Sequence, residues 1–136
     1  METMVSVYKG DLRTEDTHLK SGVVIFTDAP PDNQGKGESF SPTDLLCASL
    51  ASCALTIMGI AARTHGIAME GTTVRITKIM AADPRRVGGI ILEFDMVKNY
   101  PEKEQKILEH AARTCPVMLS LATELNKDIR FNYPRD

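Results

Sequence analysis

Tryptophan is absent from this chain and aromatic residues make up only 5% of it, so a sizeable core has to be built from Ala, Ile, Leu, Val and Met. Cysteine is scarce as well. Three of them, in a chain without a recognisable leader, do not make a disulfide framework. No two stand two to four residues apart, and His18, His65 and His110 are scattered, so a zinc site of the usual spacing is not expected. A basic excess is missing too: the formal net charge is −2, which argues against nucleic acid as a partner. No block of like charge suggests a tail or a polybasic membrane patch. Gly35-Lys36-Gly37 lacks the Lys-Ser/Thr and helix of a phosphate loop. A serine nucleophile would need His and Asp in support, and nothing in the sequence assembles that trio. Met1 to Lys9 has no basic region running into an apolar stretch, so a secretory signal is not expected and a cytoplasmic location is. The cytosol keeps most thiols reduced, so a reactive pair there is catalytic or sensing rather than structural.

What is present fits one soluble domain over residues 1–136. A chain of this size buries roughly two thirds of its unfolded surface and needs no metal or disulfide to fold. The longest uncharged run, Leu45 to Ala62, approaches the length of a membrane span. It holds Ser49, Ser52, Thr56, Gly59 and many alanines, however, which suits a buried central helix of a soluble protein better.

Thr3 to Tyr8, Leu12 to Leu19 and Val23 to Thr27, separated by Lys9-Gly10-Asp11 and Ser21-Gly22, predict a three-stranded antiparallel meander. Asp28 to Phe40 is rich in Pro, Gly, Asn and Asp and reads as a loop too polar to pack. Ser41 as N-cap, Pro42 at the first helical position and Asp44 three residues after Ser41 approximate a capping box. The helix they start is expected to end near His65, with Gly66 as its stop. It is apolar nearly all round, the pattern of a helix covered on every side. Thr72 to Ala81 and Ile90 to Lys98 predict two more strands, the latter with Ile90, Leu92, Phe94 and Met96 on one face. Pro101 opens a helix carrying Ile107, Leu108 and Ala111, which Thr114-Cys115-Pro116 interrupts. Pro116 to Leu125 predicts a further short helix, and Ile129, Phe131 and Tyr133 a last strand. The fold class is α+β: antiparallel sheets around a long buried helix. So small a chain has little to cover that helix with, which favours an intertwined dimer.

Two cysteines could carry chemistry. Cys115 stands before Pro116 at a helix start, where free N–H groups and the positive dipole end favour a thiolate. Its alternative reading is a small buried residue beside a turn. Cys53 is mid-helix, where desolvation disfavours the charged form, so reactivity would require a nearby cation. Its alternative reading is a core cysteine. Cys47, about 120° away around the helix, is read as core.

Ser41-Pro42-Thr43-Asp44-Leu45-Leu46 followed by Ala51-Ser52-Cys53, with Cys115-Pro116-Val117 some way on, resembles the paired motifs of the OsmC/Ohr superfamily. That resemblance implies an intertwined homodimer with two interface active sites and reduction of organic hydroperoxides. It makes Cys53 the peroxidatic thiol and Cys115 the resolving one. It also implies an external low-molecular-weight or lipoyl dithiol as reductant, with no bound cofactor or metal. The family's hairpin arginine falls on Arg13. Its carboxylate, a Glu ten residues before the reactive cysteine, falls on Thr43; Asp44 is one residue out of register and Glu38 is in the preceding loop. That departure keeps two other readings open: a small-molecule binding module on the same fold, or a thiol redox sensor without rapid turnover.

Overall fold

The computed structural model describes residues 1–135, which fall into two compact units, Met1 to Leu46 and Cys47 onward. In the first, β1 (Met4–Gly10), β2 (Arg13–His18) and β3 (Val24–Asp28) form an antiparallel sheet in sequence order. The β1–β2 turn holds Asp11 at φ 53° and Leu12 at φ 62°. Two positive-φ residues in succession match the twist of a tight hairpin, but a leucine there is strained. Cross-strand pairing puts Val5 and Val7 on the same face as Val24 and Phe26, and all four stay exposed in the single chain.

Residues 29–40 form a loop with no buried residue, as expected, but one with local structure. Pro31–Asn33 form a 3-10 turn. A Cβ at Gly35 would overlap the Ala29 carbonyl, and one at Gly37 would come within 2.6 Å of the Pro31 ring. Backbone bonds from Asp28 N–H to the Phe40 carbonyl and from Gly37 N–H to that of Ala29 tie the segment to the end of β3. The segment is ordered by backbone hydrogen bonds and not by burial of side chains.

Helix α1 (Pro42–His65) starts at the capping box: Ser41 N–H donates to Asp44 Oδ2 and Asp44 N–H to Ser41 Oγ, both at 3.0 Å. It ends before Gly66, whose φ of +65° suits glycine. Its buried positions are Cys47, Leu50, Ala51, Ala54, Met58 and Ala62, a single helical stripe. Ser49, Ser52, Thr56 and Ile60 remain exposed, so one chain alone covers one side of the helix, not all of it. By length and composition α1 could cross a membrane, and only 33% of its most apolar window is buried.

The second unit's sheet has the order β4 (Thr73–Ala81), β5 (Arg86–Asp95), β6 (Asn126–Asn132). Strand β5 begins earlier than its pattern suggests and takes in Gly88 and Gly89. A Cβ at Gly88 would lie 2.8 Å from that of Ala81, beside a register shift at Ile79/Met80, so glycine marks close strand approach here and not a turn. The inner face of β5 is Ile90, Leu92 and Phe94, followed by Met96 just past the strand's end at Asp95, all buried, with Phe94 stacked on Phe131 of β6 at 4.8 Å. The β5–β6 pair is parallel, a correction to the all-antiparallel expectation. Between them run α2 (Glu102–Arg113) and α3 (Pro116–Ser120), and this helical crossover carries the chain from the Asp95 end of β5 back to the end where β5 began, as parallel pairing requires. Helix α3 stops at Ser120, short of the expected Leu125, since Leu121 is already extended at ψ 151°. The chain must reach Asn126 to pair with Gly89, and that tertiary demand outweighs the helix propensity of Leu121 to Leu125.

Candidate active site

The two cysteines singled out by their contexts come together in the second unit. Cys53 lies off the buried stripe of α1 and is half-buried, while Cys47 lies within the stripe. Cys115 is held between α2 and α3. Thr114 closes α2, its N–H and hydroxyl both bonding the His110 carbonyl. Cys115 then extends at ψ 152° and Pro116 opens α3. The proline has no N–H to lose at that position and pre-sets the helical φ.

Cys115 is fully buried, and burial pushes its thiol above the ordinary value. The N–H groups of Met118 and Val117 work in the opposite direction, but no cap hydrogen bond closes on the residue and desolvation wins. This runs against the expectation that the helix start would favour a thiolate at Cys115. Five residues give α3 little dipole, whereas removal from water is complete. Cys53 adds to the effect: its side chain hydrogen-bonds that of Cys115, and repulsion between two neighbouring thiolates further holds Cys115 protonated. The pair is therefore asymmetric, a buried thiol beside a partly accessible one. All three cysteines are free. Among the described residues no three His, Cys, Asp or Glu side chains gather as metal ligands would.

Arg13, in the first unit, is anchored separately. Its Nε donates to Asp28 Oδ1 at 2.7 Å and its Nη2 to Asp28 Oδ2 at 2.9 Å. Strand register makes the two residues cross-strand partners. Asp28 is 1% exposed and also accepts the Glu38 N–H at 3.1 Å. The Arg13 hydrogen bond holds the Asp28 carboxyl below the usual carboxylate range although burial opposes it. Glu38 Oε1 stands 3.5 Å from Arg13 Nη2. Next along the same strands, the hydroxyls of Thr14 and Thr27 bond each other. Thr43 Oγ1 pairs with Ser41 Oγ at 3.1 Å and Asp44 caps α1.

Asp28 is the residue the sequence reading passed over, placed at the head of a polar loop. Counting outward from the Ser21-Gly22 turn would set Arg13 opposite Pro30; the strands instead pair Thr17 with Val24 and Arg13 with Asp28, a register shift that the local sequence does not announce.

The OsmC-like protein family model matches residues 35–130. No curated protein matches the chain. Among solved structures, one from Psychrobacter arcticus 273-4, named for an osmotic stress induced and detoxification response, is 50% identical over 97% of this chain and 96% of its own, with a TM-score of 0.94. An OsmC-like protein from Mycoplasma pneumoniae is 19% identical over 97% and 96%, TM-score 0.81. An organic hydroperoxide resistance protein, OsmC, from Legionella pneumophila is 15% identical over 97% and 98%, TM-score 0.75. The last two share the fold. With both cysteine motifs inside the matched residues and half the positions of the Psychrobacter chain identical, this chain belongs to the OsmC/Ohr superfamily, a family associated with osmotic stress and hydroperoxide resistance.

Proposed function

We propose that this chain is a cytoplasmic, homodimeric thiol peroxidase that reduces organic hydroperoxides through Cys53 and Cys115. The observation that carries the reading is the asymmetric thiol pair: a partly accessible Cys53 beside a buried, protonated Cys115 brought to it from a different element. The Cys53 thiolate attacks the outer oxygen of R–OOH. The O–O bond breaks, the alkoxide leaves and takes a proton, and Cys53 is left as the sulfenic acid. Cys115 sulfur then attacks Cys53 sulfur. An S–S bond forms, the S–O bond breaks, and the Cys115 proton leaves with the hydroxyl as water. An external dithiol reduces the disulfide by two exchange steps and is itself oxidised. A resolving cysteine that stays protonated until the sulfenic acid forms does not compete for the peroxide. Arg13 takes the role that the family resemblance gives its hairpin arginine, stabilising negative charge on the reacting atoms.

Dimerisation is supported by surface that one chain leaves open: the Val5, Val7, Val24 and Phe26 face of the first sheet and the Ile60 side of α1. Apolar area of that kind marks an interaction surface. In detergent-free buffer the protein should sediment at twice the 15.0 kDa of the chain; a need for detergent would point instead to a membrane.

One equivalent of cumene hydroperoxide should convert two free thiols into a Cys53–Cys115 disulfide, leaving Cys47 alkylatable in denaturant. Mass spectrometry finding no disulfide would leave a binding module on this fold. A disulfide formed without turnover under dihydrolipoamide or dithiothreitol would leave a sensor.

A further inference from the structure

The two sulfurs of the pair differ in how a third sulfur can reach them. Cys115 is closed to solvent, and the backbone on either side fixes it there. Thr114 before it is tied to the His110 carbonyl by both its N–H and its hydroxyl. After it, Leu119 N–H donates to the Cys115 carbonyl at 3.1 Å and Ser120 Oγ to that of Pro116 at 2.8 Å. Ala111 and Ala112, in the last turn of α2, are buried with it. Cys53 stands off the buried stripe of α1 and keeps part of its surface. The opening that admits a hydroperoxide to Cys53 admits a thiol to the same atom.

In thiol–disulfide exchange a thiolate attacks one sulfur while the other leaves, and the rate follows access to the first and the pKa of the second. Here the two factors oppose each other. Burial holds the Cys115 thiol above its ordinary value, which makes it a slow leaving group and argues for attack at Cys115 itself. Access decides between them. A slow leaving group lowers a rate, whereas a sulfur closed to solvent gives the attacking thiolate no line of approach.

We propose that the Cys53–Cys115 disulfide is reduced in one direction only: the external thiol bonds to Cys53, and Cys115 is the sulfur expelled. The reductant's thiolate attacks Cys53 sulfur and a mixed disulfide forms there. The Cys53–Cys115 bond breaks, and the Cys115 thiolate takes up the proton that the reductant lost. The reductant's second thiol then attacks the reductant sulfur of the mixed disulfide, which closes the reductant's own disulfide and releases Cys53 as thiolate. Each cycle of reduction thus ends with the new thiolate at the accessible position. The inference rests on the thiol-pair reading, but its test needs no peroxide.

The test uses the full-length protein with all its cysteines, oxidised by diamide, which takes two thiols to a disulfide and is itself reduced to the hydrazine. A monothiol, 2-mercaptoethanol, is added briefly and the exchange is stopped in acid. Free thiols are then blocked with N-ethylmaleimide in denaturant, and peptide mass spectrometry locates the adduct. The mixed disulfide should favour Cys53 over Cys115 by about ten to one or more, because access selects the sulfur attacked. In the same protein unfolded in urea, where both sulfurs are open, the two should lie within about threefold of each other. An adduct on Cys115, an even division in the folded protein, or a ratio unchanged by unfolding would overturn the inference. So would a failure of diamide to join Cys53 to Cys115, which would take the thiol-pair reading with it. A disulfide that diamide forms and cumene hydroperoxide does not removes the peroxidase reading alone, and the trapped adduct still decides the direction.

Discussion

Residues 1–46 bury three side chains, Thr27, Asp28 and Ser41, all polar, while every buried apolar side chain among the described residues, from Cys47 to Cys115, lies in the second unit. Burial of apolar area is non-directional and scales with surface removed from water. Hydrogen bonds add modest net stability but fix angles and distances. The second unit thus carries a core that can hold a buried thiol in place. The first carries a hydrogen-bonded bolt, Arg13–Asp28 and Thr14–Thr27, that orients one guanidinium. The same contrast locates the surface that the proposed dimer would cover, since the sheet with no apolar interior is the one with an apolar exterior.

The largest effect that would sharpen this contrast is in the second core. Phe94→Ala, at a fully buried ring stacked on Phe131, should cost about 3–5 kcal/mol in urea unfolding. Val7→Ala, at an exposed position of the first sheet, should cost about 1 kcal/mol or less and depend on protein concentration. Equal losses at all concentrations would erase the distinction.

Opposite pH limbs are the next way to separate the units. The Asp28 carboxyl is held low in the fold, so its contribution is present above the unfolded value of about 3.9 and fades as pH falls through the lower folded value. The Cys115 thiol is held high, so its contribution is complete below about 8.5 and fades as pH rises through the higher folded value. Urea midpoints against pH should accordingly flatten on the acid side in Asp28→Asn and on the alkaline side in Cys115→Ala. Flattening on the wrong side in either variant would contradict the assignment.

The smallest effect belongs to the hairpin. Leu12→Gly should raise stability by up to about 1 kcal/mol by relieving the positive φ, as a rise in Tm. A loss would mean that the exposed leucine is packed, for instance against a partner.

Much of this was legible in advance. Ser41, Pro42 and Asp44 announced the start of α1, and the period-2 run at Ile90, Leu92 and Phe94 announced the inner face of β5. These are local signals, written within a few residues. What escaped depended on partners distant in sequence: the parallel pairing of β6, the early end of α3 and the place of Gly88 in a strand. The thiol asymmetry escaped for a related reason. A helix start is visible at Cys115, but the extent of its burial depends on residues far along the chain. Asp28 escaped for the same reason, since its pairing with Arg13 depends on a register shifted from the one that the Ser21-Gly22 turn suggests.

The parallel pair also bears on how the protein is made. Strand β5 is complete at Asp95, but the edge that β6 covers stays open until Asn132 has been synthesised, about 2–7 s later at ordinary elongation rates. Through that interval a run of Ile, Leu and Phe presents unpaired backbone groups, the kind of edge that recruits foreign strands. Nascent chains arrested shortly before β6 should therefore be the ones most dependent on chaperones.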